Sequence, residues 1–189
     1  QMLLELAYLR INARVRPVYE SATTRKFIQG RTETTRSVSS ESADLCAKFW
    51  NPNVPDDVKI KAFRNAVKSQ VAYVADATEG KGVDRHLFGL KRLLQVGEEL
   101  PAIYKDPAFA YSGSWYISSS QLSSEYLNGY GWSQVIDEGF GLAYMINKND
   151  ISINICSKFQ GSHKMEVYLD ETAIKLAKLL SSEAPESKL

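Results

Sequence analysis

The stretch Phe140-Gly141-Leu142-Ala143-Tyr144-Met145-Ile146-Asn147-Lys148-Asn149-Asp150-Ile151-Ser152-Ile153-Asn154-Ile155 decides the fold class. Phe140, Leu142, Tyr144 and Ile146 alternate with other residues, and Ile151, Ile153 and Ile155 repeat the pattern. A period of two marks a strand with one apolar face. Asn147 to Asp150 supplies polar, turn-forming residues between the two runs, so a hairpin with a four-residue loop is predicted.

The rest of the chain reads mainly as helix. Downstream, residues 164–180 form an amphipathic helix, followed by a polar tail over 181–189. Upstream, Met2 to Ile11 is helical in spacing, but no Ser, Thr, Asp or Asn precedes it as a cap. That missing start signal suggests a chain that begins inside a helix of a longer protein. Val15 to Tyr19, interrupted by Pro17, fits an extended segment at a sheet edge. Thr23 to Arg36 is rich in Thr and Arg, with a turn signal at Gly30. Ser39 to Trp50 reads as a helix with Ala43, Cys46, Ala47 and Trp50 on its buried face. Pro55 to Thr78 is a long helix with Asp56 and Asp57 in its first turn and Gly80 and Gly82 after it. Its expected stripe is Val58, Ala62, Ala66, Val67, Val71 and Val74. Asp84 is expected to cap a further helix through Leu87, Leu90, Leu93 and Leu94, ending before Pro101. Tyr111 to Ile117 is strand-like, with Ser118-Ser119-Ser120-Gln121 as a loop after it. Helices and strands mix without a regular βαβ period, which predicts an α/β or α+β fold with a mixed sheet and flanking helices.

At 189 residues one domain is expected. With 23 Lys and Arg against 22 Asp and Glu, the chain lacks the basic excess of a strongly basic nucleic-acid binder. Cys46 and Cys156 form no CxxC pair, and His86 and His163 are too few and too far apart for a metal site. No apolar run spans a bilayer, and no signal peptide opens the chain. Glycine-rich phosphate loops, a zinc-protease motif and a nucleophile elbow are all missing.

Three features stand out from this background. Tyr19-Glu20-Ser21-Ala22 is followed by Gly30-Arg31-Thr32-Glu33-Thr34-Thr35-Arg36-Ser37, which puts hydroxyl and guanidinium donors on extended chain, suited to a carboxylate or phosphate. A solvated, Thr-rich edge strand is the plainer reading. Asp84-Arg85-His86-Leu87-Phe88-Gly89-Leu90 sits at a helix start, where a cap and a surface charge are commonplace. The serine run could donate to an oxyanion or could simply be a loop.

In this order, with Gly139-Phe140-Gly141-Leu142-Ala143-Tyr144 behind them, these features resemble the carnitine/choline acyltransferases over nearly the whole chain, specifically their C-terminal lobe. The resemblance implies one lobe of the two-lobed, chloramphenicol-acetyltransferase-like fold across residues 1–189, with the active site in a tunnel between lobes. It implies reversible acyl transfer between coenzyme A, a co-substrate and not a permanent cofactor, and the hydroxyl of carnitine. Tyr19, Thr32 and Arg85 match positions that bind the carnitine carboxylate. Ser118 and Ser120 match the outer residues of a Ser-Thr-Ser motif, Ser118 helping to hold carnitine and Ser120 stabilising the oxyanion. Ser119 departs from the middle threonine but keeps a hydroxyl. Ser21 and Gln121 match coenzyme A contacts. The choline branch tends to carry valine and asparagine where Thr32 and Arg85 stand, so the pair argues for carnitine.

The family's general-base histidine matches neither His86 nor His163, and is expected on a missing N-terminal lobe, as are the lysines that meet the coenzyme A phosphate. Gly129-Tyr130-Gly131-Trp132 falls near the family's acyl-pocket strand, where bulky Tyr130 and Trp132 would favour a short, acetyl-sized pocket. A medium-chain transferase lobe and a non-catalytic carnitine- or coenzyme A-binding module remain alternatives. The terminal Ser187-Lys188-Leu189 matches the receptor-read peroxisomal address, which implies the peroxisomal import receptor as a partner. A mitochondrial signal upstream would be compatible with the family.

Overall fold

In chain order the elements are α1 (Met2–Asn12), β1 (Val18–Thr23), β2 (Thr32–Thr35), α2 (Ser40–Phe49), α3 (Asp56–Thr78), α4 (Asp84–Arg92), α5 (Ala102–Lys105), α6 (Pro107–Ser112), β3 (Ile117–Gln121), β4 (Phe140–Ile146), β5 (Ile151–Ser157) and α7 (Ser162–Ser181). The computed structural model describes residues 1–182, so the terminal Ser187-Lys188-Leu189 and most of the polar tail lie outside the described residues. The chain divides into two compact units. One is helical and comprises Gln1–Val15, Ser37–Gln70 and the described residues from Gly161; the other carries the sheet and comprises Arg16–Arg36 and Val71–Gln160.

In the helical unit Met2 and Leu6 of α1, Leu45, Cys46 and Phe49 of α2, Ile60, Ala62 and Ala66 of α3 and Leu179 of α7 form one apolar cluster. α2 starts on a reciprocal cap: Ser42 N–H donates to Ser39 Oγ at 3.1 Å, and Ser39 N–H donates to Ser42 Oγ at 3.0 Å. Such a cap is worth about 1 kcal/mol. The buried face of α2 is Ser42, Leu45, Cys46 and Phe49, with Ala43 and Ala47 exposed. The expected face is therefore rotated, because Leu45 and Phe49 remove far more apolar surface from water than two alanines. In α3, Ala62 and Ala66 are buried as expected, but Val67 and Val71 are exposed. The helix passes from one unit to the other after Gln70, so no single stripe runs its length.

Glu5 of α1 is buried, and neither carboxylate oxygen finds a hydrogen-bond partner. Burial holds its pKa above the usual carboxylate range, offset only in part by the nearby Ser42 and Ser37 hydroxyls. Burial, then the Glu5 charge, push the Cys46 thiol up to about 12. Cys46 and Cys156 are both free thiols.

In the second unit the strand order is β2-β1-β3-β4-β5. The central pairs β1–β3 and β3–β4 are parallel, and the outer pairs β2–β1 and β4–β5 are antiparallel. The fold is thus α/β with a mixed sheet and helices, as the sequence predicts. The hairpin also stands: Phe140 pairs with Ser157 and Ile146 with Ile151, and Asn147 N–H closes the loop on the Asp150 carbonyl at 2.9 Å.

Two expectations are corrected here. The segment around Pro17 is not at an edge, since β1 is paired on both sides. Pro17 precedes the first ladder residue, where its missing N–H costs nothing, and its carbonyl accepts from Tyr116 N–H at 3.0 Å. Nor does a strand run from Tyr111 to Ile117 with a serine loop behind it. Asp106 caps α6, accepting from Ala108 N–H at 2.7 Å with Pro107 in the first turn, so this region is helical up to Ser112. The three serines then lie inside β3.

Candidate active site

Side chains alternate between the faces of a strand, and residues paired across a ladder share a face. Tyr19 pairs with Ser118 in parallel register, which puts Tyr19, Ser21, Ser118 and Ser120 on one face of the sheet. The antiparallel pairs Ser21–Thr34 and Thr23–Thr32 add Thr32 to the same face at the edge strand. Gln121 falls on the opposite face, is exposed, and donates from Nε2 to Ser123 Oγ at 2.7 Å. Five of the seven residues singled out in the sequence therefore share one face, Arg85 joins them from α4, and Gln121 does not.

On the inner strand Ser118 and Ser119 are enclosed and Ser120 is half-buried. Ser118 is 6% exposed and Ser119 1%. The Tyr19 ring stacks on Trp115 with centroids 3.8 Å apart and planes 11° from parallel, which fixes its position. Tyr130 reaches over the end of β3, donating its hydroxyl to the Ser120 carbonyl at 2.5 Å, with the Tyr144 carbonyl at 3.2 Å. Burial raises the Tyr130 pKa, against the smaller opposite pull of the Ser120 hydroxyl. Gly129 to Trp132 is an irregular segment here and not a strand. It crosses directly over β4: a Cβ on Gly141 would meet the Trp132 and Ser133 carbonyls at 2.8 and 2.7 Å. A cleft of about 460 Å3 opens on this face, lined by Asn128, Tyr130, Ala143, Met145 and Asn154 among others.

The edge of the site is made differently. Arg85 donates from Nε to the Thr32 carbonyl and from a terminal nitrogen to Thr32 Oγ1, both at 3.3 Å. Its backbone N–H donates to Glu33 Oε1 at 3.3 Å, and the same oxygen accepts from Thr34 N–H at 2.6 Å. Buried Glu33 thereby ties β2 to the first turn of α4. Gly82 is required beside it, because a Cβ there would lie 2.2 Å from the Glu33 side chain. Asp84 does not cap α4, whose N-cap residue is Val83 with no side-chain bond. Asp84 is drawn instead to Arg36, whose Nε lies 3.1 and 3.0 Å from its two carboxylate oxygens, and Arg36 also donates to the Ser112 carbonyl. A bidentate guanidinium–carboxylate pair outcompetes a cap contact. Gln29, Arg31, Thr32, Arg85 and Phe88 line a second cleft of about 460 Å3. Gln29, Arg31 and Phe88 carried no assigned role in the sequence reading, although Arg31 and Phe88 fall inside the quoted motifs. Among the described residues no group of three His, Cys, Asp or Glu side chains could hold a metal ion.

A mixed sheet that presents hydroxyls on one face, with an arginine clasped to its edge strand, is an arrangement suited to a small anionic substrate and a developing oxyanion. The family model for Choline/Carnitine o-acyltransferase matches residues 1–171, and the chain belongs to that family. Carnitine O-acetyltransferase, mitochondrial, of Saccharomyces cerevisiae is 45% identical over 188 residues, covering 97% of this chain and 28% of that protein. Carnitine O-acetyltransferase of Rattus norvegicus is 33% identical, covering 100% of this chain and 31% of that protein. Choline O-acetyltransferase of Sus scrofa is 30% identical, covering 96% and 29%. The chain thus spans less than a third of the length of these relatives.

Proposed function

We propose that this chain is the carnitine-holding part of an enzyme that reversibly transfers an acetyl group between coenzyme A and the hydroxyl of carnitine. The observation that carries this reading is the Arg85 guanidinium laid against Thr32 at the rim of a cleft. A planar fork of donors beside a hydroxyl suits a carboxylate, which carnitine has and choline lacks. An arginine covered by a substrate without a carboxylate would be left unpaired, at a cost.

In this reading Tyr19, Thr32, Arg85 and Ser118 hold carnitine. The carnitine oxygen attacks the thioester carbon, and the Ser120 hydroxyl donates to the oxyanion of the tetrahedral intermediate. The trimethylammonium of carnitine adds its own charge near that oxyanion. Collapse expels the coenzyme A thiolate. A general base takes the proton from the carnitine hydroxyl and returns it to the thiolate. That base is a histidine supplied by an N-terminal lobe. The short span of this chain against its relatives supports such a division. Ser21 and Gln121 meet coenzyme A; for Gln121, on the opposite face, this role rests on the family resemblance alone. Tyr130, pinned to the Ser120 carbonyl beside Ala143 and Met145, supports a short acyl pocket. The terminal Ser187-Lys188-Leu189 directs the protein to the peroxisome, and an upstream signal adds a mitochondrial form.

The test is release of coenzyme A thiol by the natural full-length protein, with carnitine or choline as acceptor and acetyl-CoA or octanoyl-CoA as donor. Carnitine-dependent release from acetyl-CoA, weak with choline, is expected. A preference for octanoyl-CoA would move the reading to a medium-chain enzyme. Binding of carnitine without any release would make the protein a non-catalytic module.

A further inference from the structure

Ser119 is nearly fully buried, yet its side chain points away from the face that carries Ser118 and Ser120. On that opposite face it meets Glu20. The Ser119 hydroxyl donates to Glu20 Oε2 at 2.8 Å, and the Tyr144 hydroxyl donates to Glu20 Oε1 at 2.9 Å. The Glu20 carbonyl accepts from Thr35 Oγ1 at 2.9 Å. A single residue of β1 thus reaches β2, β3 and β4. Burial, then the Glu20 charge, push the Tyr144 phenol far above its ordinary value, so it stays a donor throughout the working pH range.

The placement is specific. Glu20 pairs with Ser119 in the ladder, one step from the Tyr19–Ser118 pair. The strut therefore lies directly behind the hydroxyls of the candidate site. A hydrogen bond to a charged acceptor holds its donor more tightly than the shallow wells of neighbouring backbone torsions would. Any slip of β3 against β1 would carry Ser118 and Ser120 with it, and would stretch the Ser119–Glu20 bond as well as the ladder.

We infer that Glu20, Ser119 and Tyr144 form a positioning strut behind the active face, which sets the height of the Ser120 hydroxyl through the strand and touches no substrate. In this role the middle residue of the serine run needs only a hydroxyl, which serine or threonine supplies. The inference rests on the acyl-transfer reading above.

The experiment compares Ser119→Thr, Ser119→Val and Tyr144→Phe in the natural full-length protein. Threonine and valine have the same shape and differ in the hydroxyl. Turnover, the KM for carnitine and for acetyl-CoA, and Tm are measured for each. Ser119→Thr is expected to keep wild-type turnover. Ser119→Val is expected to lose about tenfold in kcat, the low end for one hydrogen bond to a charged group, at nearly unchanged KM values. Tyr144→Phe, which keeps the ring, is expected to lose kcat in the same sense but by less. Equal kcat for valine and threonine, assayed well below Tm, overturns the inference even if Tm differs, because a merely structural contact moves Tm alone. If Ser119→Val does not fold, Tyr144→Phe decides, and wild-type kcat there overturns it. A wild-type protein with no acyl transfer overturns the functional reading and this inference together.

Discussion

At the Thr32–Arg85 corner the candidate groups are exposed and are held by side-chain contacts, two of them at 3.3 Å, across 53 residues of sequence. On β3 the serines sit in a backbone ladder: Ser118 and Ser119 are paired with both β1 and β4, and Ser120 with Ala143 of β4. The corner is held by side chains alone, whereas the strand is held by its ladder and braced from behind by Glu20. Such a division suits a site that must capture a free carboxylate with some give, yet hold an oxyanion donor to a few tenths of an ångström.

The largest way to test this contrast is at the rigid end. Ser120→Ala should lower kcat by about 10²–10³ with little change in either KM. A matching rise in the KM for carnitine would show that the strand also does the capturing. Arg85→Ala should raise the KM for carnitine about 10–100-fold, the range for one charge-assisted hydrogen-bonded contact, and leave the KM for acetyl-CoA nearly unchanged. Equal shifts in both would dissolve the distinction between corner and strand. Gly82→Ala forces the Glu33 carboxylate from its seat, and overpacking of this kind costs about 1–3 kcal/mol. Its effect should appear as weaker carnitine binding by isothermal titration, with turnover at saturating carnitine preserved. Tyr130→Phe removes one hydrogen bond on the Ser120 carbonyl, worth about 1 kcal/mol, so acetyl turnover should fall about fivefold or less.

Glu5→Gln touches neither half and should leave activity alone. Its pKa is raised on folding, so its contribution is fully present below the unfolded value and is lost as pH rises through the folded one. The variant should therefore gain Tm over wild type, and the gain should widen as pH rises above the ordinary carboxylate range. A gap that stays constant with pH would mean that Glu5 is not held protonated by folding.

What could be read from the sequence follows how local each signal is. The 140–157 hairpin was legible because alternation and turn chemistry are both short-range. β3 was not. Serine is a poor strand former on its own, and only its parallel neighbours, about a hundred residues away on one side, give Ser118 to Ser120 their ladder. The buried face of α2 was misread because small residues at helical spacing outvoted two large ones. Asp84 carried an ordinary cap signal, and only folding brings Arg36 to it. For the site, the residues came from the family resemblance, not from spacing. What no local pattern could show is which of them share a face. Strand parity unites Tyr19, Ser21, Thr32, Ser118 and Ser120 and separates Gln121. Glu20 stood in the quoted motif without a role, because its partners lie 99 and 124 residues away.

The Cys46 thiol, buried in the helical cluster with a pKa near 12, turns that unit into its own clock. Burial both shields the thiol from reagent and disfavours its thiolate, so alkylation must wait for α2 to come away from its neighbours. The rate at which an excess of iodoacetamide marks Cys46 then counts openings of the helical unit. Bound substrate that slowed the count would reveal that this unit senses occupancy of a site that none of its described residues line.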